Sequence, residues 1–137
     1  MPDADLLVTG VSSQPGHFLL PQLDGFALRV VAVGRHRPDG LSPSIAWREA
    51  DLAAPPTLPA AAAILHLAPV WLLPPLLDAL PRAPQRIIAL SSASVGTKAH
   101  SADTGERRLA ERLITAESAV RSFADSHGSA CRIVRRR

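Results

Sequence analysis

The segment Leu6 to Gly16, LLVTGVSSQPG, constrains this chain more than any other. An apolar run able to form a buried strand passes into a turn of Gly10, Ser12, Ser13, Gln14, Pro15 and Gly16. His17-Phe18-Leu19-Leu20 then reads as the start of a helix. Strand, glycine turn and helix together aim backbone N–H groups, and the positive end of a helix dipole, at a phosphate. Gly10 supplies the unusual backbone angles of the turn, and Gly16 has no side chain to hold helix and strand apart. At the start of an α/β chain this pattern signals dinucleotide binding; the alternative is an ordinary strand–helix turn.

Further apolar runs of strand length recur at Leu28 to Val33, Ile45 to Trp47, Ala62 to Leu67, Arg86 to Leu90 and Ala130 to Val134. They are continuous rather than alternating, as in parallel strands covered on both faces. Helices are expected over Pro15 to Leu23 and over Trp71 to Leu80, the latter with two prolines placed to kink it. The clearest helix lies between Asp103 and Ser126. Asp103 and Glu106 have capping-box spacing, and Gly128 follows as a stop. Glu117 and Arg121 stand four apart in the favourable order, and Leu109, Leu113, Ala116, Val120 and Phe123 form one stripe. The segments 36–43 and 53–58 are rich in Pro and Gly and read as crossovers without full helices. The expected fold is one domain over residues 1–137, a doubly wound parallel α/β sheet (Rossmann-like) of strand order 3-2-1-4-5-6, with Arg135-Arg136-Arg137 a basic tail.

A chain of 137 residues with 47% hydrophobic residues buries a real core. Its 15 basic residues include a single lysine, Lys98, and are scattered apart from the last three positions. With three Phe, two Trp and no Tyr there is no interleaving of aromatic and basic residues, so a nucleic-acid partner is not expected. One cysteine, Cys131, forms no internal disulfide, and no Cys/His cluster has metal-ligand spacing. The start, MPDADLL, is acidic and lacks a signal peptide's basic flank, so a cytoplasmic location is expected. No charged residue falls between Asp51 and Asp78, but six prolines there, from Pro55 to Pro75, break any membrane-spanning helix, and no membrane role is expected.

Taken in order, these landmarks resemble the extended short-chain dehydrogenase/reductase family of nucleotide-sugar epimerases and dehydratases. VTGVSSQPG resembles the family's Thr-Gly-x-x-Gly-x-x-Gly turn, with Thr9, Gly10 and Gly16 matching and Ser13 in place of a glycine. Asp51-Leu52 resembles the pair whose carboxylate contacts adenine. Ile64-Leu65-His66-Leu67-Ala68 resembles the Val-x-His-Leu-Ala segment that lines the cofactor. Ile88 to Val95 resembles the Ser-Ser-x-x-Val motif and puts Ser92 at the catalytic serine, while Glu117 matches an acidic residue of the following helix. The resemblance implies a Rossmann domain binding NADP or NAD, and dimerisation through the 103–126 helix. It also implies a Tyr-x-x-x-Lys pair for proton transfer. Anchored on Glu117, those positions fall on Leu109 and Leu113, and the chain contains no tyrosine. The family's substrate domain follows the sixth strand, and the expectation is a chain without it.

The expectation is therefore a catalytically degenerate NAD(P)-binding protein with a binding or sensing role. The alternatives are an oxidoreductase or isomerase using substitute residues or a partner-supplied substrate site, and an interaction protein that no longer binds nucleotide. Gly34 stands where an acidic residue would hold the ribose hydroxyl of NAD. Arg35 and Arg37 beside it suit the 2′-phosphate of NADP, or are solvated loop residues. Asp51 is a cofactor contact or a turn cap, and His66 a hydrogen-bonded structural histidine rather than a catalyst. Lys98 and His100, just beyond the fifth strand, are the titratable groups that could stand in for the missing pair. The stripe from Leu109 to Phe123 is a core face or the face of a homodimer.

Overall fold

The computed structural model describes residues 3–23, 25–54, 57–93 and 101–136. Six strands, β1 (Ala4–Thr9), β2 (Val30–Gly34), β3 (Ile45–Glu49), β4 (Ala61–His66), β5 (Arg86–Ser92) and β6 (Ala130–Arg136), pair all-parallel in the order 3-2-1-4-5-6. Helix α1 (Gln14–Leu23) joins β1 to β2, α2 (Leu73–Ala79) joins β4 to β5, and α3 (Thr104–His127) joins β5 to β6. The crossovers from β2 to β3 and from β3 to β4 carry no helix among the described residues, as their proline and glycine content predicts.

Alternation along each strand sends side chains to two cores. Leu7, Val31, Val33, Ile64, Ile87 and Ala89 pack on one face against Leu73, Leu76 and Leu77 of α2 and Val120 and Ala124 of α3. Val8, Val30, Ala32 and Ile45 pack on the other against Leu20 of α1, with Val11, Leu41 and Leu67. On this second face Ile88 (39%) and Val134 (46%), over β5 and β6, remain exposed.

The region after β4 is not one kinked helix. A 3₁₀ turn, Val70–Leu72, precedes α2, and Pro74 and Pro75 occupy its first turn, where their missing N–H groups cost nothing. In α3 the Asp103 carboxylate accepts the Glu106 N–H at 3.0 Å, and the helix stops at Gly128 with φ +69°. The reciprocal half of the capping box is replaced: Ser101 Oγ accepts the Asp103 N–H and donates to the Glu106 carboxylate at 2.6 Å.

One expectation is corrected, and one open pair of readings is resolved in favour of the core face. Arg135 and Arg136 are not a solvated tail; β6 runs on to Arg136, pairing Ser91 with Arg135 and Ser92 with Arg136, because β5 extends far enough to satisfy both backbones. Arg137 lies outside the described residues. Nor does the stripe on α3 face outward as a dimer surface. Leu113, Ala116 and Val120 are buried, and Leu109 and Phe123 are half-buried against the same cores, since the sheet needs a cover over β5 and β6.

Candidate functional site

The carboxyl ends of β1, β2 and β4 open into a cleft of about 420 Å³. Gly10, Ser12 and Ser13 form one wall, Gly34, Arg35, Asp51 and Leu52 the far end, and Leu67, Ala68 and Pro69 the opposite wall. Its narrowest crossing is set by Gly10, at φ +66°, where a Cβ would come within 2.4 Å of the Ala68 nitrogen. A methyl group there would strain the backbone and push the two loops apart. Gly16 serves the same end within the turn, since a Cβ would lie 2.3 Å from the Val11 carbonyl oxygen.

Ser13, the residue in place of the family's middle glycine, is the N-cap of α1. Its Oγ donates to the Gly10 carbonyl and accepts the Gly16 N–H at 3.3 Å. Pro15 has no N–H, so of the first three residues of α1 only Gln14 keeps one for a ligand. The turn is thereby stable on its own, and it presents fewer backbone donors than an all-glycine turn.

His66 closes the floor. Fully buried, its Nδ1 accepts from the Thr9 hydroxyl at 2.8 Å and its Nε2–H donates to the Pro69 carbonyl at 2.9 Å, so both walls hang on one ring. Burial pushes its pKa down to about 4, against a smaller opposing effect of the Pro69 hydrogen bond; the ring is neutral at pH 7. It is a structural histidine. Asp51 caps its turn, accepting the Ala53 N–H at 2.9 Å, and also borders the cleft.

A second compartment of about 420 Å³ shares the wall Leu67, Ala68 and Pro69 and continues past Leu90, Ser91 and Ser92 to Trp71, Leu113 and Arg136. Ser92 lies here, apart from the turn. Leu113, aligned with the family's lysine, is part of this wall and 4% exposed. Gln14 stands beside this compartment: Arg136 Nη2 donates to its Oε1 at 3.0 Å. Arg37 is exposed and lines neither compartment, because the chain turns away after Arg35. Pro15 and Gly16 shape α1 without lining the cleft. Lys98 and His100, with Ser94 and Val95 of the serine motif, lie outside the described residues.

Behind Ser91 is a buried ionic group that sequence reasoning did not assemble. Glu117, 1% exposed, accepts from Ser91 Oγ at 2.7 Å, Arg135 at 3.0 Å and Arg121 at 3.4 Å. Burial works to raise the Glu117 pKa, but the hydrogen bonds from Arg135 and Ser91 and the charges of both arginines outweigh it and hold the carboxyl below its usual range. Two signals were present: a carboxylate inside the apolar stripe of α3, and an arginine two residues beyond Ile133, on the same side of the strand.

Fold and site together define a Rossmann-like α/β domain with its crevice at the topological switch point between β1 and β4. Among solved structures the chain is similar to a UDP-galactose 4-epimerase (TM-score 0.75, 17% identity, covering 95% of this chain and 54% of that one). It is also similar to a short-chain dehydrogenase/reductase superfamily protein from Agrobacterium tumefaciens with bound NAD (0.70, 17%, 95% and 48%). A third likeness is to vestitone reductase from alfalfa, Medicago sativa (0.65, 19%, 95% and 55%). The chain spans about half the length of these proteins. No protein-family model and no curated protein sequence matches it. Among the described residues, no helix is long and apolar enough to cross a membrane.

Proposed function

We propose that the protein binds a nicotinamide dinucleotide, NADP in preference to NAD, in a binding or sensing role without the proton-transfer chemistry of the reductases and epimerases it resembles. The observation that carries this reading is the cleft itself. A positive-φ Gly10 packs against Ala68 beside the α1 N-terminus, and Arg35 and Asp51 stand together at the far end. Ser12, Ser13 and the Gln14 N–H would meet the pyrophosphate, Asp51 and Leu52 the adenine, and Arg35 the 2′-phosphate. Such a cofactor, when bound, offers hydride transfer at its nicotinamide. Among the described residues of the second compartment, Ser92 could polarise a carbonyl, Arg136 carries the charge, and the apolar side chain of Leu113 moves no proton. Calorimetric titration with NADP and NAD tests the reading: saturable binding with NADP the tighter ligand is expected, and absence of binding to either overturns it.

An oxidoreductase whose substrate side comes from another polypeptide is the second reading, favoured by the exposed Ile88 and Val134 on a half-covered sheet face. Steady NADP-dependent turnover of carbonyl or alcohol substrates by the isolated chain would replace the binding role with it. A homodimer through α3 would have to use that helix's outer side, where Ile114 is 43% exposed among charged residues. Sedimentation at tens of micromolar distinguishes dimer from monomer.

A further inference from the structure

The second compartment is electrostatically one-sided. Among the described residues Arg136 is the only charged one in its lining, and the neighbouring walls, Leu67, Leu90 and Leu113, are apolar. Its guanidinium donates to the side-chain amide of Gln14, a neutral acceptor, and among the described residues no carboxylate stands within ion-pair distance of it. The one carboxylate behind the wall, Glu117, is already engaged by Arg121 and Arg135. The backbone holds Arg136 in place: its register partner is Ser92, and its carbonyl accepts the Ala93 N–H at 2.8 Å. On the Gln14 side the first turn of α1 contains no acidic residue, so the helix dipole adds to the positive potential.

We infer that this compartment binds an oxyanion, a phosphate or carboxylate group of the ligand, on Arg136. The inference rests on the carboxyl-end cleft being a ligand site. A guanidinium offers two parallel N–H donors that match a carboxylate or phosphate, and the exposed Arg136 is open to such a ligand from solvent. The amide of Gln14 is the group the anion displaces. The ligand class that follows is a dinucleotide together with an acidic small molecule, or a nucleotide carrying an anionic group past Ala68.

The test uses the full chain with Trp47→Phe, so that fluorescence reports Trp71 in the compartment wall. Inorganic phosphate and acetate are titrated separately at constant ionic strength. A saturable response to at least one is expected; phosphate alone assigns a phosphate, acetate alone a carboxylate. Arg136→Gln should weaken it about tenfold and Arg136→Lys less. A parent chain that shows no saturable response, or an Arg136→Gln chain that binds as the parent does, overturns the inference. NADP titration is read separately. Anion binding with no NADP binding overturns the dinucleotide reading alone, whereas NADP binding with no anion binding dependent on Arg136 overturns this one alone.

Discussion

The two compartments at the carboxyl end of the sheet are built from different materials. The first rests on backbone: a positive-φ glycine, a self-capped helix start and a strand end, with Arg35 and Asp51 added at the rim. The second depends on side chains delivered by α3 and β6, and there the positions expected to move protons carry Leu109 and Leu113. Backbone geometry survives many substitutions, whereas acid–base chemistry is lost with one. A fold of this kind can therefore keep the shape of its cleft while the groups beside it change.

The comparison breaks most sharply at Leu113. The double change Leu109→Tyr, Leu113→Lys should produce no turnover in this chain, because a lysine forced into the buried Leu113 position disrupts the wall it would have to act from. It should lower stability by about 4 kcal/mol, since a lysine replaces a buried leucine. Urea unfolding and a cofactor-absorbance assay check both parts; restored activity would mean that the second compartment is only a substitution away from an enzyme.

Gly10→Ala attacks the first compartment through its backbone. Strain at positive φ and the collision with Ala68 should cost about 3 kcal/mol, and NADP affinity should fall with it. Unfolding midpoints and calorimetry measure the two effects; a silent substitution would show that the crossing is loose.

Acid should act on the hinge between the compartments. Neutral His66 in the folded state, with a pKa of about 4 against 6.5 unfolded, means that the unfolded chain binds more protons between those values. Its contribution is complete above pH 6.5 and is lost as pH falls toward 4, for a total of about 3 kcal/mol. Glu117, also depressed, adds a loss in the same direction at lower pH, below the usual carboxylate range. Stability measured from pH 7.5 to 4 should decline accordingly, and His66→Gln should flatten the upper part of that decline while lowering the plateau.

The smallest effect concerns the rim of the first compartment. Arg35→Ala should remove a roughly tenfold preference for NADP over NAD, the value of one charge-assisted contact. NAD affinity should be nearly unchanged. Equal affinities in the parent chain would leave Arg35 a surface residue, as Arg37 is.

Much of this was legible in the residues. Continuous apolar runs and the Gly10 turn led to the sheet order, because parallel strands buried on both faces leave few other solutions. Gly10, Ser12, Ser13, Arg35, Asp51, Leu52, Leu67 and Ala68 converge on one cleft, as their positions at strand ends predict. What escaped was long-range and ionic. The meeting of Glu117 with Ser91 and Arg135 depends on how α3 lies over β5 and β6, which no local spacing encodes. The end of β6 was missed for a related reason: three successive arginines look like solvent-facing chain until a neighbouring strand is there to pair with them.

Those arginines also answer a problem of solubility. As the last strand in the order, β6 pairs only with β5 among the described residues, and its other margin carries Ile133 and Val134 between Arg132, Arg135 and Arg136. Such a margin is a template for cross-molecular strand addition, and like charges spaced along it hold two copies apart. That repulsion reaches only as far as the ionic atmosphere lets it, about 10 Å at 0.1 M salt and about 3 Å at 1 M. The protein's resistance to stacking edge on edge is thus set by its solvent, and concentrated salt turns the guarded margin into an adhesive one.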